Sequence, residues 1–456
     1  MATIKDSHTP HAIQATHHSQ QHNLQSTNPI KVQEPNTQFE RRRGRRFLRK
    51  LLQSLFYLHI FLITILTVFL TVRGLIFAPD DHHFRPRRWY PPLLTATACA
   101  GIIAFTWQWI TRCNPAKAIR AAFWLGPLST CGAGVMFFSI GSAASLAAAV
   151  LALVFAIIQS LYVCWANPRF DHAVRLLSVS IASPPAKTIL LVVHSIAAST
   201  LYSCFLVSGI GGATATGTTL DTMFILVILL SLAWTMQVIK NTLQVTISHV
   251  KYMHFSCGAD LDTSMALHDT FKHSIGSICI GSVLVPVLGV IHGSAQATSL
   301  ISGDADEFMF SCTNCYSGVA SRLITYGNRW GFVHLGVYKK GFVQASIDTW
   351  ETFKRAGLEP LIDSDLTSSF CFLCGVAGGA ICTLVGGSWA LVVYKGSATE
   401  VSIYAFLIGY FMCRVAMAWP QACVSAYYVA YAENPQSVQF DQTIPARIQV
   451  LQRSQA

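Results

Sequence analysis

Long apolar segments are the feature of this chain that most constrains its fold. They recur along most of its length, and each is about as long as the roughly 20 residues a helix needs to cross a bilayer. The 456 residues are 52% hydrophobic and only 12% charged, whereas soluble domains usually have roughly 25% charged residues. We therefore predict an all-α, polytopic membrane helical bundle with about ten transmembrane helices. The candidate spans are 51–72, 91–112, 121–142, 145–166, 188–209, 222–240, 274–295, 308–326, 367–393 and 401–430.

A strongly basic segment lies directly before the first span. Seven positive charges fall within residues 41–50, out of a formal net charge of +11. The segment ends a tail, residues 1–46, whose richness in His, Gln, Asn, Ser and Thr predicts disorder. The basic segment fits an orientation signal that also attracts anionic lipids, or a phosphoinositide or nucleic-acid patch. The sequence gives little support to the nucleic-acid interpretation, and we expect anionic lipids as partners and no nucleic acid.

The basic residues of the loops predict how the chain is oriented in the membrane. Lys and Arg follow the second, fourth and sixth spans, whereas the loops after the fifth and seventh carry none. An excess of Lys and Arg marks cytoplasmic loops, so we predict a transmembrane domain over 47–433 with both termini cytosolic. The residues 434–456 then form a cytosolic C-terminal tail. With both termini on the same side the number of spans is even, which requires that the weak segment 308–326 cross the bilayer. The arginines between residues 73 and 88 are an exception to the charge rule, because they fall in a loop predicted to lie outside.

The longest connection, residues 327–366, has the pattern of an amphipathic helix rather than of a span. Charged residues lie opposite its apolar ones. We predict a cytosolic helix in the membrane interface at about 338–361. Its apolar stripe consists of Val343, Ile347, Trp350 and Phe353.

The centres of the predicted spans carry no acidic residues. Intramembrane carboxylates mark the proton and sodium sites of coupled transporters, so their absence argues against ion coupling. Arg414 is the most costly polar residue in the spans and must face the bundle or a water-filled cavity. Two roles remain open for it: conduction or gating, or a structural anchor to backbone carbonyl groups.

Aromatic residues in the spans offer another way to bind a cation. A quaternary ammonium cannot donate hydrogen bonds, and a Trp or Tyr ring face attracts it by roughly 0.5–2 kcal/mol. A cage of such rings would hold it without a carboxylate, although aromatics in membrane helices also serve as packing or interface residues. The candidate substrate-binding residues are Trp107, Gln108, Tyr202, Trp234, Gln237, Tyr410 and Arg414.

Small residues recur at every fourth position of the ninth predicted span. Such a stripe lets another helix approach closely, and a gating hinge is the alternative. The residues are Gly375, Gly379, Thr383 and Gly387.

The sequence shows no pattern of a catalytic, metal or cofactor site. The CxxC pairs Cys312/Cys315 and Cys371/Cys374 lie far apart and lack neighbouring histidines, so we predict no zinc. A phosphate-binding loop and a nucleophile–base spacing are also absent. We therefore predict a protein that is not an enzyme and needs no cofactor.

Four stretches together resemble the choline transporter-like protein family, and its plant-type branch most. They are GSICIGSVLVPVL at 276–288, YGNRWGFVHLGVYKKGFVQASIDTWETF at 326–353, the glycine-rich ninth span, and ACVSAYYVAYAENPQS at 422–437. Their order and spacing match too, and the resemblance covers roughly residues 45–440. Two positions depart from the family pattern: Val343, where a Cys is usual, and Pro286, where a small residue is usual.

The resemblance implies facilitated transport of choline or a related organic cation without ATP, in the plasma membrane or in Golgi or other endomembranes. The inside-negative membrane potential would favour entry of a cation by roughly 2.3 kcal/mol per 100 mV. Two other functions remain open: a channel-like or lipid-handling protein on the same scaffold, and an organiser of membrane traffic without transport activity.

Overall fold

The protein is all-α throughout the residues that its computed structural model describes. These residues are 36–76, 86–182, 186–214, 219–301, 318–319, 323 and 325–455. The helices are α1 (Asn36–Ile76), α2 (Pro86–Cys113), α3 (Pro115–Ile140), α4 (Ala143–Ala166), α5 (Phe170–Ser180), α6 (Ala186–Ala213), α7 (Thr219–Cys257), α8 (Thr263–His273), α9 (Ile275–Ile301), α10 (Gly331–Tyr338), α11 (Phe342–Arg355), α12 (Glu359–Asp363), α13 (Thr367–Val393), α14 (Ala398–Ala416), α15 (Ala418–Glu433) and α16 (Thr443–Gln455).

Nine helices in the described ranges are long and apolar enough to cross a membrane, which confirms the predicted polytopic bundle. The predicted span 308–326 lies almost entirely outside the described residues, so a total of ten stays a prediction. These nine segments are Phe47–Ile76, Trp89–Cys113, Pro115–Ile140, Ala143–Ser180, Lys187–Ala213, Leu220–Cys257, Ile275–Ala295, Glu359–Val393 and Lys395–Ala416.

The predicted span 401–430 differs from the structure, because the chain forms two helices there. Helix α14 ends at Ala416, and α15 begins at Ala418 and is only 16 residues long. Pro420 lies in the first turn of α15, where a missing N–H breaks no intrahelical hydrogen bond. Nearly all of α15 is buried inside the protein, so its apolar composition reflects a protein core rather than a lipid-facing surface.

Helices α13 and α14 pack closely along the predicted stripe of small residues. A Cβ added to Gly379 would lie 2.9 Å from a side-chain carbon of Phe406, and one added to Gly387 would lie 2.3 Å from the Ser402 hydroxyl oxygen. The Thr383 hydroxyl donates to the Ser402 carbonyl oxygen at 3.2 Å. The stripe is therefore a helix-packing seam, as predicted.

Helix α7 is much longer than the predicted span 222–240. Its 39 residues extend about 58 Å at 1.5 Å per residue, against roughly 30 Å of hydrocarbon. Its second half packs against α8, α10 and α15. Lys240 and Lys251, which are among the basic residues taken to bracket a loop after the sixth span, are buried on this half of the helix. That expectation is wrong, because neighbouring helices cover a segment whose charge made it look like a solvent-exposed connection.

The connection 327–366 forms three short helices, α10 to α12, instead of one helix over 338–361. Helix α11 is amphipathic, but the face it buries against the protein is centred on Ala345, Ser346 and Thr349. The predicted stripe coincides with this face only in part: Phe353 is fully buried, Ile347 and Trp350 are half-buried, and Val343 is exposed. The location of this amphipathic segment in the membrane interface stays a prediction.

Parts of both terminal segments form helices. The chain divides into two compact units, Met1–Gly44 and Arg45–Ala456. Residues 36–46 of the predicted disordered tail belong to α1, and the rest of that tail lies outside the described residues. The predicted C-terminal tail contains α16, whose Ile444 is fully buried.

Candidate functional site

Four charged side chains from separate parts of the chain meet inside the bundle. We call Lys240, Arg329, Asp365 and Arg414 the charge cluster. Lys240 lies in the middle of α7 and Arg414 in the last turn of α14, while Arg329 and Asp365 precede α10 and α13. The positive charges of Lys240, Arg329 and Arg414 are close enough to influence one another.

Arg329 and Asp365 form the one ion pair of the charge cluster. An Nη2 atom of Arg329 lies 2.7 Å from Oδ2 of Asp365, whose side chain is only 1% exposed. The other carboxylate oxygen of Asp365 accepts from the Thr367 backbone N–H at 3.2 Å and from its hydroxyl at 2.8 Å. The Arg329 guanidinium also stacks on the Trp330 ring at 4.2 Å. Asp365 therefore joins the start of α13 to the segment before α10.

Lys240 is 6% exposed and has only a weak neutral partner among the described residues. Its Nζ atom lies 3.4 Å from Oδ1 of the adjacent Asn241. Asn241 in turn donates to the Ser282 hydroxyl of α9 at 2.9 Å. Lys240 thus brings a buried amine to a site where α7 also meets α9.

Arg414 lies over a glycine of the packing seam. A Cβ added to Gly375 would lie 3.0 Å from Cδ of Arg414 and 3.0 Å from a ring carbon of Tyr410. Gly375 therefore leaves room for both side chains, which are one helical turn apart on α14. The Arg414 Nε atom is buried and has no hydrogen-bond partner within the described part of the chain.

Further polar atoms without partners line the helices next to the charge cluster. Gln421, Ser425 and Tyr428 lie on one face of α15, and Gln244 lies on α7 one turn after Lys240. The Oε1 atoms of Gln244 and Gln421 and the hydroxyls of Ser425 and Tyr428 are buried with no partner in the described ranges. Each such group costs about 1–3 kcal/mol when left unsatisfied, so the site has unused hydrogen-bonding capacity.

The predicted aromatic residues on α6 and α7 point to different neighbours. The Trp234 ring packs against Phe56 and His59 of α1, at centroid distances of 5.5 and 4.8 Å. The Tyr202 hydroxyl is hydrogen-bonded to Ser231 at 2.8 Å and to Thr235 at 3.1 Å. Trp234 therefore lies where α7 contacts α1, and Tyr202 lies where α6 contacts α7.

Tyr410 belongs to a group of rings beside Arg414. It stacks on Phe406 at 6.2 Å and meets Phe372 edge-on at 6.1 Å. Trp107 and Gln108 are buried on α2, and Gln237 is half-buried on α7, one turn before Lys240. No ring contact in the described residues joins any two of the four predicted cage residues.

The structure therefore brings together only part of the predicted site. Tyr410 and Arg414 meet at the charge cluster, whereas Trp234 and Tyr202 lie in separate contacts and Trp107 is buried on α2. Lys240, Arg329 and Asp365 were not among the predicted residues. The sequence did contain a signal for Lys240. Gln237, Lys240 and Gln244 follow one another at helical spacing, which indicates that the helix continues past the predicted end of the span at residue 240.

A second polar group ties three helices together at the end of α15. Glu433, at the end of α15, accepts hydrogen bonds from Tyr252 and from Tyr338 at 3.0 Å, and its Oε1 lies 2.8 Å from Nε2 of His334. Burial raises the pKa of Glu433, but the hydrogen bonds of His334, Tyr252 and Tyr338 outweigh it and hold the pKa below the usual 4.5. The ionised carboxylate therefore stabilises the junction of α7, α10 and α15.

A bundle of long apolar helices that encloses a group of charged and polar side chains defines a polytopic membrane protein. The chain belongs to the plasma-membrane choline transporter family, whose sequence model matches residues 150–436. The match includes the whole charge cluster. It does not include Trp107 and Gln108.

Several fungal proteins are similar to this chain. Protein pns1 of Aspergillus fumigatus is 23% identical over 219 residues, which cover 44% of this chain and 41% of that protein. Protein PNS1 of Mycosarcoma maydis is 26% identical over 225 residues, covering 45% and 42%. Protein PNS1 of Yarrowia lipolytica is 26% identical over 201 residues, covering 37% and 35%. The chain therefore spans about two fifths of the length of the curated relatives it matches.

Proposed function

We propose that this protein transports choline or a related organic cation across the membrane by facilitated transport. The observation that carries the proposal is the match of the plasma-membrane choline transporter family over residues 150–436. The concentration gradient and the membrane potential drive the movement, the latter contributing roughly 2.3 kcal/mol per 100 mV for one charge. We further propose that the protein works in the plasma membrane with both termini cytosolic.

The predicted site residues divide into two parts under this proposal. Trp107, Tyr202 and Trp234 each supply a single ring face for the ammonium group at a separate place rather than one shared cage, and Gln108 and Gln237 supply polar contacts. Gln108 supports this role, because its Oε1 atom is buried without a partner among the described residues.

Tyr410 and Arg414 have a different role, because they are adjacent. A cation resting on Tyr410 would lie roughly 6 Å from the Arg414 charge, a repulsion of about 3 kcal/mol at an effective dielectric constant of 20. That exceeds the roughly 0.5–2 kcal/mol that one ring face offers. Arg414 therefore acts as a gate, whose charge opposes the passage of a bare cation.

Uptake of radiolabelled choline, ethanolamine and betaine into cells that express the protein tests the transport function. We expect choline to accumulate above the background of untransfected cells, and depolarisation to reduce its entry. Accumulation of none of the three, with the protein confirmed at the cell surface, would contradict the proposal. Movement of labelled phospholipid instead of choline would favour a lipid-handling protein.

A matched pair of tryptophans on α2 tests the ring site. Trp107 is buried, whereas Trp109 is 68% exposed on the same helix. We expect Trp107→Ala to raise the KM for choline several-fold and Trp109→Ala to leave it unchanged, since only the first removes a ring from the bundle interior. Surface labelling of both variants separates this effect from misfolding, and equal effects of the two would refute the assignment.

A further inference from the structure

The charge cluster contains more positive charge than its carboxylate can neutralise. Arginine stays protonated in proteins, so Arg329 and Arg414 are both cations, and Asp365 offsets one of them through the 2.7 Å ion pair. Neither Arg414 nor Lys240 has an ion-pair partner within the residues that the structure describes. Within these residues, at least one positive charge, that of the half-buried Arg414, is therefore uncompensated, whatever the charge state of Lys240.

The same place has donors that no atom of the described residues uses. The Nε atoms of Arg329 and Arg414 and the hydroxyls of Ser425 and Tyr428 are buried and unpaired in the described part of the chain. Tyr428 lies within electrostatic range of Arg329 and Asp365, and its ring packs edge-on against Trp330 at 5.4 Å. These donors come from α14, from α15 and from the segment before α10, so they approach from more than one direction.

Buried charges persist when a counter-charge and hydrogen bonds satisfy them. An oxyanion supplies both, because each oxygen accepts several hydrogen bonds and a guanidinium binds it through paired N–H groups. A phosphate group suits this arrangement better than a carboxylate, because its oxygens point in three or four directions toward separate donors.

We propose that Lys240, Arg329 and Arg414, together with the hydroxyls of Ser425 and Tyr428, form a binding site for a phosphate or phosphate-ester group. The group comes from a free phosphate ester or from a phospholipid head group. This site goes beyond the transport function proposed above and does not depend on choline being the cargo. It also supplies the negative charge that would offset the Arg414 gate.

Another buried lysine of α7 provides a matched control. The Nζ atom of Lys251 donates to the backbone carbonyl oxygen of Ala182 at 2.7 Å, so its amine already has a protein partner. Lys240→Met and Lys251→Met remove the same group from the same helix, yet only the first belongs to the charge cluster.

The test is binding of radiolabelled inorganic phosphate to the purified full-length protein in detergent, with thermal unfolding as a second readout. We expect saturable binding that raises the melting temperature. Lys240→Met and Arg414→Gln should weaken it on the order of 30-fold, the equivalent of about 2 kcal/mol for a lost partner of a buried charged contact. Lys251→Met should bind as the wild type does.

Two further measurements identify the source of the phosphate group. Competition of phosphocholine with labelled phosphate would support a free phosphate ester. Anionic phospholipid that stays bound in native mass spectrometry, and is lost in Lys240→Met, would support a lipid head group. Absence of saturable binding by phosphate, phosphocholine and phospholipid alike would overturn the proposal, as would unchanged binding in Lys240→Met.

A conservative variant decides the matter if Lys240→Met does not fold. Tyr428→Phe removes one hydroxyl and keeps the ring that packs on Trp330. We expect it to fold and to weaken phosphate binding on the order of tenfold, as for a lost hydrogen bond to a charged group. Wild-type affinity in Tyr428→Phe would then refute the proposed site.

Discussion

The close packing of α13 against α14 lets us predict how one added methyl group changes the stability of the protein. A Cβ added at Gly378 would lie 2.2 Å from the Cys413 sulfur atom and 3.4 Å from the Gly409 carbonyl oxygen. Ordinary contacts begin at 3.4 Å, so in Gly378→Ala the sulfur and the methyl group must move about 1.2 Å farther from each other. A gap of 0.5–1 Å between packed helices already forfeits roughly a quarter to a half of the dispersion energy of each contact.

The expected cost follows from two opposing terms. Overpacking a tight core costs up to about 3 kcal/mol, while replacing glycine by alanine inside a helix gains about 1 kcal/mol. We therefore expect Gly378→Ala to lower the stability by about 2 kcal/mol. Gly289→Ala on α9, where the described residues place no atom of a neighbouring segment within 4 Å of the added Cβ, should not lower it.

Thermal unfolding of the purified protein in detergent, followed by tryptophan fluorescence, measures this difference. The double variant Gly378→Ala/Cys413→Ala removes the sulfur and should recover most of the loss, because the nearest remaining atom, the Cys413 Cβ, lies at 3.2 Å. If Gly378→Ala melts at or above the temperature of Gly289→Ala, or if the double variant gains nothing, the packing described for the seam is wrong.

Two further predictions concern the polar core. Arg329→Met leaves the buried Asp365 carboxylate unpaired and should lower the stability by about 3–5 kcal/mol. Size-exclusion chromatography should show this as a loss of monodisperse protein, and the double variant Arg329→Met/Asp365→Asn should recover part of the loss. An equal loss in both variants would contradict the ion-pair reasoning. Because the pKa of Glu433 is held below 4.5, its contribution to stability is present above about pH 4.5 and is lost as the pH falls through the lower folded value. Melting temperatures between pH 7 and pH 3.5 should therefore fall less steeply in Glu433→Gln, and identical profiles would remove Glu433 as the cause.

The membrane helices were predictable because hydropathy and length constrain them directly. The predicted span 367–393 coincides with α13, and its stripe of small residues faces α14 as the spacing indicated. A lipid-crossing helix has to be apolar over a fixed length, and that condition is visible in the sequence without knowledge of its neighbours.

The charge cluster was not predictable by the same means. Lys240 ends an apolar run, and a charge at that place normally marks a loop. Its burial depends on α9, α10 and α15 covering the second half of α7, which is a property of the tertiary structure. The aromatic cage was not predictable for a different reason. Residue type identifies candidate rings, but it does not show in which direction each side chain points.

The unbroken length of α7 has a mechanical consequence. A helix of about 58 Å behaves as a stiff lever, and a tilt of roughly 10° about its midpoint would carry each end through about 5 Å. Lys240 lies near that midpoint and would shift little, while Trp234 and Lys251, on either side of it, would move in opposite directions. Opening on one face of the bundle would thus be coupled to closing on the other, with the charge cluster as the pivot.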